Sequence, residues 1–503
     1  MIIDSREIED GASFWTDVCV IGSGAAGLTF AKEILGTGRE IFLMESGGHL
    51  TSPEADDLNV GTLEGEMFDY YQDYLLKERI RVYGGSTNIW EGVCLPLQEI
   101  DFEEREWMPN SAWPISKSDL DPYYARAANY LGIHGYDKSV SDDPSPIAPR
   151  MLPEETEWEG LAFHMSNQRR LGIQFEEELK NAENLKLHLH ANAILFEGNE
   201  NGSKIEAVEF ATLEGRRFKV KANLFVLAAG GMENCRILLN SNADTDQNIG
   251  NQYDNLGRYF MDQFHTPGGR VVLPNPLDDH LSYDRALSES HGYIKMGALS
   301  LKQSAQRRHR ISNQTLIFQE TSKFKIDDER NRAVASSMPL FEKKSVRRRD
   351  TKTPFVYWFR LKSEVGATPD NRITLGEEKD ALGVRRLHLC WKLSEDDRRM
   401  FARFTRMFGN ALGEHFIGRL QEWYTENGKL SKHTKGHGHQ LGGTRMHADP
   451  RKGVVDANCS VHGVTNFKIL GGSVFPSGGN TNPTMTIMAL AIRMADQFKK
   501  GVS

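Results

Sequence analysis

The chain has 503 residues, of which 26% are charged and 39% hydrophobic, and a formal net charge of −8. Such a chain is too long for one small core, fits about two to four domains, and is neither disordered nor attracted overall to nucleic acid. No apolar run approaches the roughly 18 residues of a membrane span. The acidic opening MIIDSREIEDGASFW lacks the charged and apolar regions of a secretory leader. The five cysteines, Cys19, Cys94, Cys235, Cys390 and Cys459, lie far apart and form no CxxC. They read as small core residues in a reducing compartment, with no disulfide framework and no structural zinc site. The expected location is the cytoplasm.

Residues 17–22, DVCVIG, are an apolar, β-branched run that predicts a buried parallel strand. GSGAAG follows, then LTFAKEILGTG with helical apolar spacing, then EIFLMESGG, a second strand ending in Glu45 and Ser46. Strand, helix and strand thus enclose Gly22, Gly24 and Gly27 in a GxGxxG turn, with Ala25 and Ala26 opening the helix. Glu45 stands eighteen residues past the last glycine. The glycines permit a tight turn and close backbone approach to a pyrophosphate at the helix N-terminus. Glu45 suits an adenosine ribose hydroxyl, and its charge disfavours the 2′-phosphate of NADP. GxGxxG alone is a glycine-rich turn; the surrounding strand, helix and acid make it a dinucleotide site. The motif does not separate FAD from NAD.

RVYGGSTNIWEGVCLPL (81–97) is glycine-rich and irregular, and WPISKSDLDPYYARAANYLG (113–132) is a proline-bounded turn followed by a helical pattern. Residues 136–155, rich in Ser, Asp and Pro, read as loop. FEEELKNAENLKLHLHANAILFEG predicts a helix, a turn and a strand. KIEAVEFATLEGRRFKVKANLFVLAAGG predicts strands ending at Ala229, Gly230 and Gly231, and MENCRILLNS a helix. This second strand–Gly-Gly–helix unit, returning late, implies a discontinuous nucleotide domain. Residues 266–430 differ in character, with the strand-like TPFVYWFRLK and a hairpin, RITLGEEKDALGVRRLHLCWKL. Tyr357, Trp358 and Trp391 suit stacking on a sugar, although aromatic residues in strands are more often core. The basic clusters QRRHR (306–310) and KKSVRRRD (343–350) read first as solvated surface and second as a rim for an anionic ligand.

HGHQLGGTRMH (437–447) holds His437, His439 and His447. No thiolate or carboxylate shares the segment, so no metal site is expected. Farther on, NFKIL predicts a strand, GGSVFPSGGN a loop, and a helix runs from about Pro483 to Lys499. Proline suits the first helical position and Asn482 the N-cap. Thr484 then lies in a first turn whose free N–H groups and partial positive charge can stabilise an anion.

VIGSGAAG with Glu45, GGSTNIWEG, WPIS..DLDPYY, LAAGGMENCRILL, LGRYFMD, HQLGGTRM and VFPSGGNTNPTMTIMALA, in that order and spacing, resemble the glucose–methanol–choline (GMC) oxidoreductases over most of the chain. The likeness is strongest to the branch of pyranose oxidases and bacterial glycoside 3-oxidases or 3-dehydrogenases. It implies an α/β fold: a discontinuous Rossmann-like FAD-binding domain (1–135, 181–265 and 431–503), a connecting segment (136–180), and an α+β substrate-binding domain (266–430) on a largely antiparallel sheet. It also implies FAD. His439, with Gly442 and Met446, meets the family's pattern for the catalytic base; His437 and His447 do not. Asn482, 43 residues later, matches the second catalytic residue. The implied reaction oxidises a CH–OH group, a secondary hydroxyl of a sugar or glycoside, to the ketone. His439 takes the hydroxyl proton while hydride passes to flavin N5. A neutral imidazole suits that task, and a positioned base contributes about 10²–10⁴-fold.

The resemblance also places Gly85, Ser86, Asn88 and Ile89 beside the flavin ring, Ala193 at the adenine, and Ala229, Gly230, Gly472 and Thr484 along the cofactor. Some pyranose oxidases bind FAD covalently through a histidine where this chain has Ile89, which implies non-covalent FAD here. Oxygen or another electron acceptor completes the cycle. A second reading keeps FAD and changes the substrate to an aliphatic, aromatic or amino-sugar alcohol. A third, of another class, is a flavin-containing lyase or a redox-silent FAD-binding protein; the presence of both His439 and Asn482 argues against the silent protein.

Overall fold

The structure is a computed structural model and describes residues 1–69, 71–133, 136, 151–243, 245, 247–274, 295–320, 355–422 and 434–501. Its architecture is mixed α/β. The apolar run at 17–22 is the end of a longer strand, Ala12–Ile21. The first half alternates between exposed and half-buried residues, so no apolar run marks it. It is strand because its register with Arg217–Leu227 continues from Leu227–Ile21 back to Phe218–Ala12.

The first sheet has the order Ile2–Asp4, Leu185–Leu189, Ile41–Met44, Ala12–Ile21, Arg217–Leu227, Ile205–Ala211, Asn192–Gly198, with Phe467–Ile469 also paired to Arg217–Leu227. The first five strands and Phe467–Ile469 are parallel; the last two form an antiparallel meander. The strands that neighbour one another here are drawn from both ends and the middle of the chain. Ile21 pairs with Met44 and Leu227, Met44 with His188, and Leu227 with Ile469. The carboxyl ends therefore form one row. Beyond it lie the glycine turn, Glu45, the turn at 190–191, Ala228–Gly230 and Leu470–Gly472. Ligands of open parallel sheets sit beyond such a row. The helix Ala25–Glu33 packs on Thr484–Lys499, with Phe30 edge-on to Phe498 at 6.3 Å between ring centres.

The second sheet is antiparallel throughout. Its order is Arg419–Glu422, Phe264–Leu273, Phe355–Ser363, Gln314–Glu320, Lys295–Leu301, Trp158–Met165, Val93–Cys94. Helix Glu395–Glu414, opened by a Ser394–Asp397 capping box, covers one face. Phe401 meets Phe264 at 4.5 Å and Phe408 meets Phe359 at 6.0 Å. Side chains alternate along a strand, so His265 and Lys362 point away from this helix.

The predicted hairpin is Arg372–Lys379 with Arg385–Cys390, and Gly61–Glu64 adds a parallel third strand. Trp391 and Tyr357 belong to the core: Trp391 packs against Phe68, Tyr74 and Phe260. The basic cluster at 306–310 ends the helix Gln303–His309, where Arg307, Arg308 and Arg310 pair with Glu103, Glu157 and Glu106 at the surface. The cluster at 343–350 lies outside the described residues. All five cysteines are free thiols, four of them buried. Among the described residues no helix is long and apolar enough to cross a membrane.

One fully buried ion pair anchors the second sheet to the 99–113 segment. Arg105 makes two 2.8 Å bonds to Glu364, which also accepts from the Asn313 and Gly479 N–H groups. Removing the carboxylate strands a buried guanidinium. Glu364→Ala is therefore expected to destabilise the fold by roughly 3–5 kcal/mol, read as a lower urea midpoint by tryptophan fluorescence.

Candidate active site

The segment 435–441 runs antiparallel to 261–265. Lys435 and Gly436 pair with His265 and Phe264, and Leu441 exchanges two 2.9 Å backbone bonds with Met261. Between these pairings the backbone bows around one carboxylate. Asp262 Oδ2 accepts from Tyr74 OH at 2.6 Å and from the His437 and Gly438 N–H groups at 3.0 Å; Oδ1 accepts from the His439 N–H at 2.9 Å. The glycines of GHGH make this approach possible. A Cβ at Gly436 would stand 2.7 Å from Asp262 Oδ2, and one at Gly438 (φ +70°) 2.3 Å from Glu78 Oε2. Burial pushes the Asp262 carboxyl up to about 7, against the pull of its donors.

Gln263 links the histidine segment to the loop before the last helix. Its Nε2 donates to the carbonyls of Gly478, Gly479 and Thr481 at 2.9, 2.6 and 2.7 Å. Carbonyls only accept, so the amide nitrogen must face them and Oε1 must face His439 Nδ1, 2.8 Å away. Nδ1 therefore carries the proton. Nε2 is left with its lone pair, and no described residue bonds it.

The 477–482 loop has no regular structure and is held by side chains. Ser477 Oγ accepts from Trp113 and donates to Asp101 O; Glu364 takes the Gly479 N–H; Asn480 donates to Thr315; Lys362 donates to Asn482 Oδ1 at 2.6 Å. His265, Lys362 and Thr315 are directly opposed on three adjacent strands of the second sheet and share the face turned from helix Glu395–Glu414. One row thus supplies Thr315 to Asn480, Lys362 to Asn482, and His265 to His437, whose rings stack at 3.7 Å. His437 in turn stands 4.6 Å from His439, edge to face.

The helix begins at Thr484 with Pro483 as its cap, one residue later than the sequence predicts. Asn482 is not the cap. Its carbonyl oxygen is taken by Lys362, and its Nδ2 has no partner among the described residues.

The electrostatics favour neutral imidazoles. Burial, then His437 and the Lys362 ammonium, hold His439 well below its usual range. Burial and the same lysine bring His437 down to about 3, and burial, His437 and Lys362 hold His265 well down. Burial lowers Lys362 itself to about 7, with Asp262 and Glu91 opposing.

On the first sheet, the glycine turn fits a dinucleotide. Gly22 has φ +100°, and a Cβ there would meet Ala228 O at 2.5 Å; a Cβ at Gly27 would meet Gly22 O at 1.9 Å. These two set the turn and the helix packing. Around Gly24 the space a Cβ would take is open, as it is at Gly230. Gly24 caps helix Ala25–Glu33 with no side-chain bond, so the first-turn N–H groups of Ala25 and Ala26 remain for an anion. Gly85 packs on Gly24, where its Cβ would stand 3.0 Å from Gly24 Cα, and Gly84 N–H donates to Ser23 Oγ at 3.2 Å. The 84–89 loop therefore lies against the glycine turn.

Within that loop Asn88 is turned onto the Tyr83 and Gly85 carbonyls, while Ser86 opens a turn closed by Ile89 and Trp90, with Ile89 half exposed. Glu45 is more committed than expected. Its Oε2 accepts from Ser23 N–H and Oγ, and its Oε1 from Gly47 N–H and Ser46 Oγ. A ribose bond requires one serine hydroxyl to turn away. Ala193 sits in the meander strand Asn192–Gly198 opposite Phe210. Ala229 N–H is held by Asn234, and Gly231 and Gly472 both pack on the Gln440 carbonyl. His447 lies apart, its Nδ1 accepting from Asp449 N–H.

Asp262, Gln263, His265 and Lys362 escaped the sequence reading. The only signal was polar residues in strand-like runs, MDQFHT and FRLKS, which also describes the solvent face of any strand.

Residues 367–491 match the family model described as GMC oxidoreductase, in its C-terminal part. That segment therefore carries the C-terminal domain of the GMC oxidoreductases. The fructose dehydrogenase large subunit of Gluconobacter japonicus is 22% identical, over 95% of this chain and 97% of its own. The 6'''-hydroxyparomomycin C oxidase of Streptomyces lividus is 24% identical, over 95% of this chain and 90% of its own. The crystal structure of pyridoxine 4-oxidase from Mesorbium loti has the same fold, with a TM-score of 0.60 at 16% identity, over 96% of this chain and 99% of that one.

The open space at Gly24 generates a test. Gly24→Val puts a branched side chain into the open space that a dinucleotide's pyrophosphate would take, so the variant is expected to purify folded by circular dichroism and without visible flavin absorbance.

Proposed function

We propose that the protein is an FAD-dependent oxidoreductase that oxidises a secondary hydroxyl of a sugar or glycoside to the ketone. The observation that carries this reading is the pair of unpartnered ends left by Gln263 and Lys362: a lone pair on His439 Nε2 and an N–H on Asn482 Nδ2. Bound FAD supplies the acceptor for the hydrogen and electron pair of the C–H bond. The chain does the rest. Gly22, Gly24, Gly27, Glu45 and the first turn of helix Ala25–Glu33 are suited to hold the dinucleotide, with Ser46, Ala193, Ala229, Gly230, Gly472 and Thr484 along its length. Gly85, Ser86, Asn88 and Ile89 lie at the reactive end.

His439 Nε2 accepts the substrate hydroxyl proton, and Asn482 Nδ2 donates to the same oxygen. One group removes positive charge while the other meets the negative charge that develops, so both act chiefly in the transition state. The Gln263 carbonyl then faces the Nδ1–H of the imidazolium and stabilises it. Ile89 presents only an alkyl group, in keeping with non-covalent FAD that denaturation releases. The names of the relatives support a sugar. They also favour, as a second reading, an alcohol on an amino sugar. Against that stands Lys362, whose ammonium would repel an amine placed next to the reacting carbon.

The test is anaerobic mixing with a panel of glycosides, aminoglycosides and simple alcohols, followed by flavin bleaching. His439→Ala is expected to keep the yellow colour and to bleach at least about 10²-fold more slowly; bleaching at the wild-type rate would remove the base from this scheme. The working base is neutral and its folded pKa lies well below 6.5. Protonation, as pH falls, therefore reaches it late. The acid limb of the bleaching rate is expected well below pH 6.5, measured by stopped-flow across pH.

A further inference from the structure

Asn482 can donate to a substrate oxygen in only one of its two amide orientations. A carboxamide is nearly symmetrical in shape, and its oxygen and nitrogen do opposite work. Turned one way it donates to a developing alkoxide; turned the other way it presents a second negative dipole and competes with His439 for the hydroxyl proton. Something must choose.

The geometry points to Lys362 as the positioning residue that sets the direction of the Asn482 carboxamide. The inference rests on the FAD-dependent reading above. An ammonium has three donors and no acceptor. While protonated, at 2.6 Å from Asn482, it tolerates only Oδ1, so Nδ2 is the end left for the substrate. Lys362 sits at a fixed place in the middle of an antiparallel sheet, paired with His265 on one side and Thr315 on the other. Its stem is buried, with Nζ 5.5 Å from the centre of the Phe163 ring. Among the described residues no carboxylate comes within ion-pairing distance of Nζ. A buried cation answered by a neutral amide is costly to fold, and a leucine would fit the strand at no such cost. The arrangement also strengthens the donor: pulling electron density toward Oδ1 makes the Nδ2 hydrogens more positive, as in any chain of hydrogen bonds.

The role makes separable demands on experiment. Lys362→Met keeps the stem and removes the donor. In the holoenzyme it is expected to retain flavin and to lower kcat roughly tenfold or more, with KM changed by less than about threefold, because the lost interaction forms chiefly in the transition state. The double variant Lys362→Met, Asn482→Ala is expected to be no slower than Asn482→Ala alone. Lys362→Gln, whose own amide can offer either end, keeps a hydrogen bond without a direction and is expected to resemble Lys362→Met; it serves if the methionine variant folds poorly.

A readout independent of turnover is the side-chain amide signal of Asn482 in protein carrying isotope-labelled asparagine, assigned by its loss in Asn482→Ala. That signal is expected to shift in Lys362→Met. An unmoved signal, wild-type kcat in Lys362→Gln, a rise in KM alone, or effects that simply multiply in the double variant would each overturn the assignment. A shifted signal in a protein whose flavin no alcohol bleaches would instead sink the oxidoreductase reading and leave the positioning intact.

Discussion

A single carboxamide, that of Gln263, sets the state in which the His439 imidazole is presented. Its nitrogen is surrounded by three carbonyl oxygens of the 478–481 loop, and these admit no other orientation. Its oxygen then has one face left, toward His439 Nδ1. From that follow the tautomer of the imidazole, the free lone pair on Nε2, and the register between two segments some forty residues apart. Reversing the amide would set four acceptors against one another in a buried space, where each unpaired polar atom costs about 1–3 kcal/mol. The loop and the histidine segment therefore hold their mutual position or the local fold fails.

The two sheets divide the work. The largely parallel one ends in a row of turns that leave backbone N–H groups and open space at Gly24 and Gly230. The antiparallel one turns a row of polar side chains, Thr315, Lys362 and His265, toward the irregular segments at 437–441 and 477–482. Irregular backbone inside a protein must find partners for every N–H and C=O. Here Asp262 satisfies three successive N–H groups, Gln263 shares the two hydrogens of its amide among three carbonyls, and Glu364 takes the N–H of Gly479. What looks like a loose glycine-rich ending in the sequence is thus as tightly specified as a helix. The difference is that its hydrogen bonds come from side chains far away in the chain.

That distance sets what could be read beforehand. The glycine turn, its strand and Glu45 are local, so their spacing carries the meaning, and the alternating sheet strands and the hairpin at 372–390 announce themselves by pattern. The roles proposed for His439 and Asn482 came only through likeness to a family. Lys362 and Gln263 were not legible at all. Their importance depends on which face of a strand they occupy and on what crosses it, and a one-residue shift of register would send either to the other face. Asn482 misled for the opposite reason. Before a proline and a helix, its identity suggests a cap, and nothing local tells of a lysine 120 positions earlier. The N-terminal half of strand Ala12–Ile21 was hidden because only its partner, not its composition, makes it a strand.

Asp262 and Gln263 also determine where this protein can be cut and rejoined. They lie just ahead of Phe264–Leu273, so His439 and the 478–481 loop are fastened to a stub at the border of the antiparallel sheet. A chimaera that imports a foreign antiparallel module with its junction after Gln263 inherits intact fastenings for His439 and the 478–481 loop, but it must bring a lysine at the matching strand position to hold Asn482. A junction placed a few residues earlier exchanges the fastenings themselves. Exchange of the antiparallel module, in the laboratory or over evolutionary time, is therefore easiest on one side of a two-residue frontier.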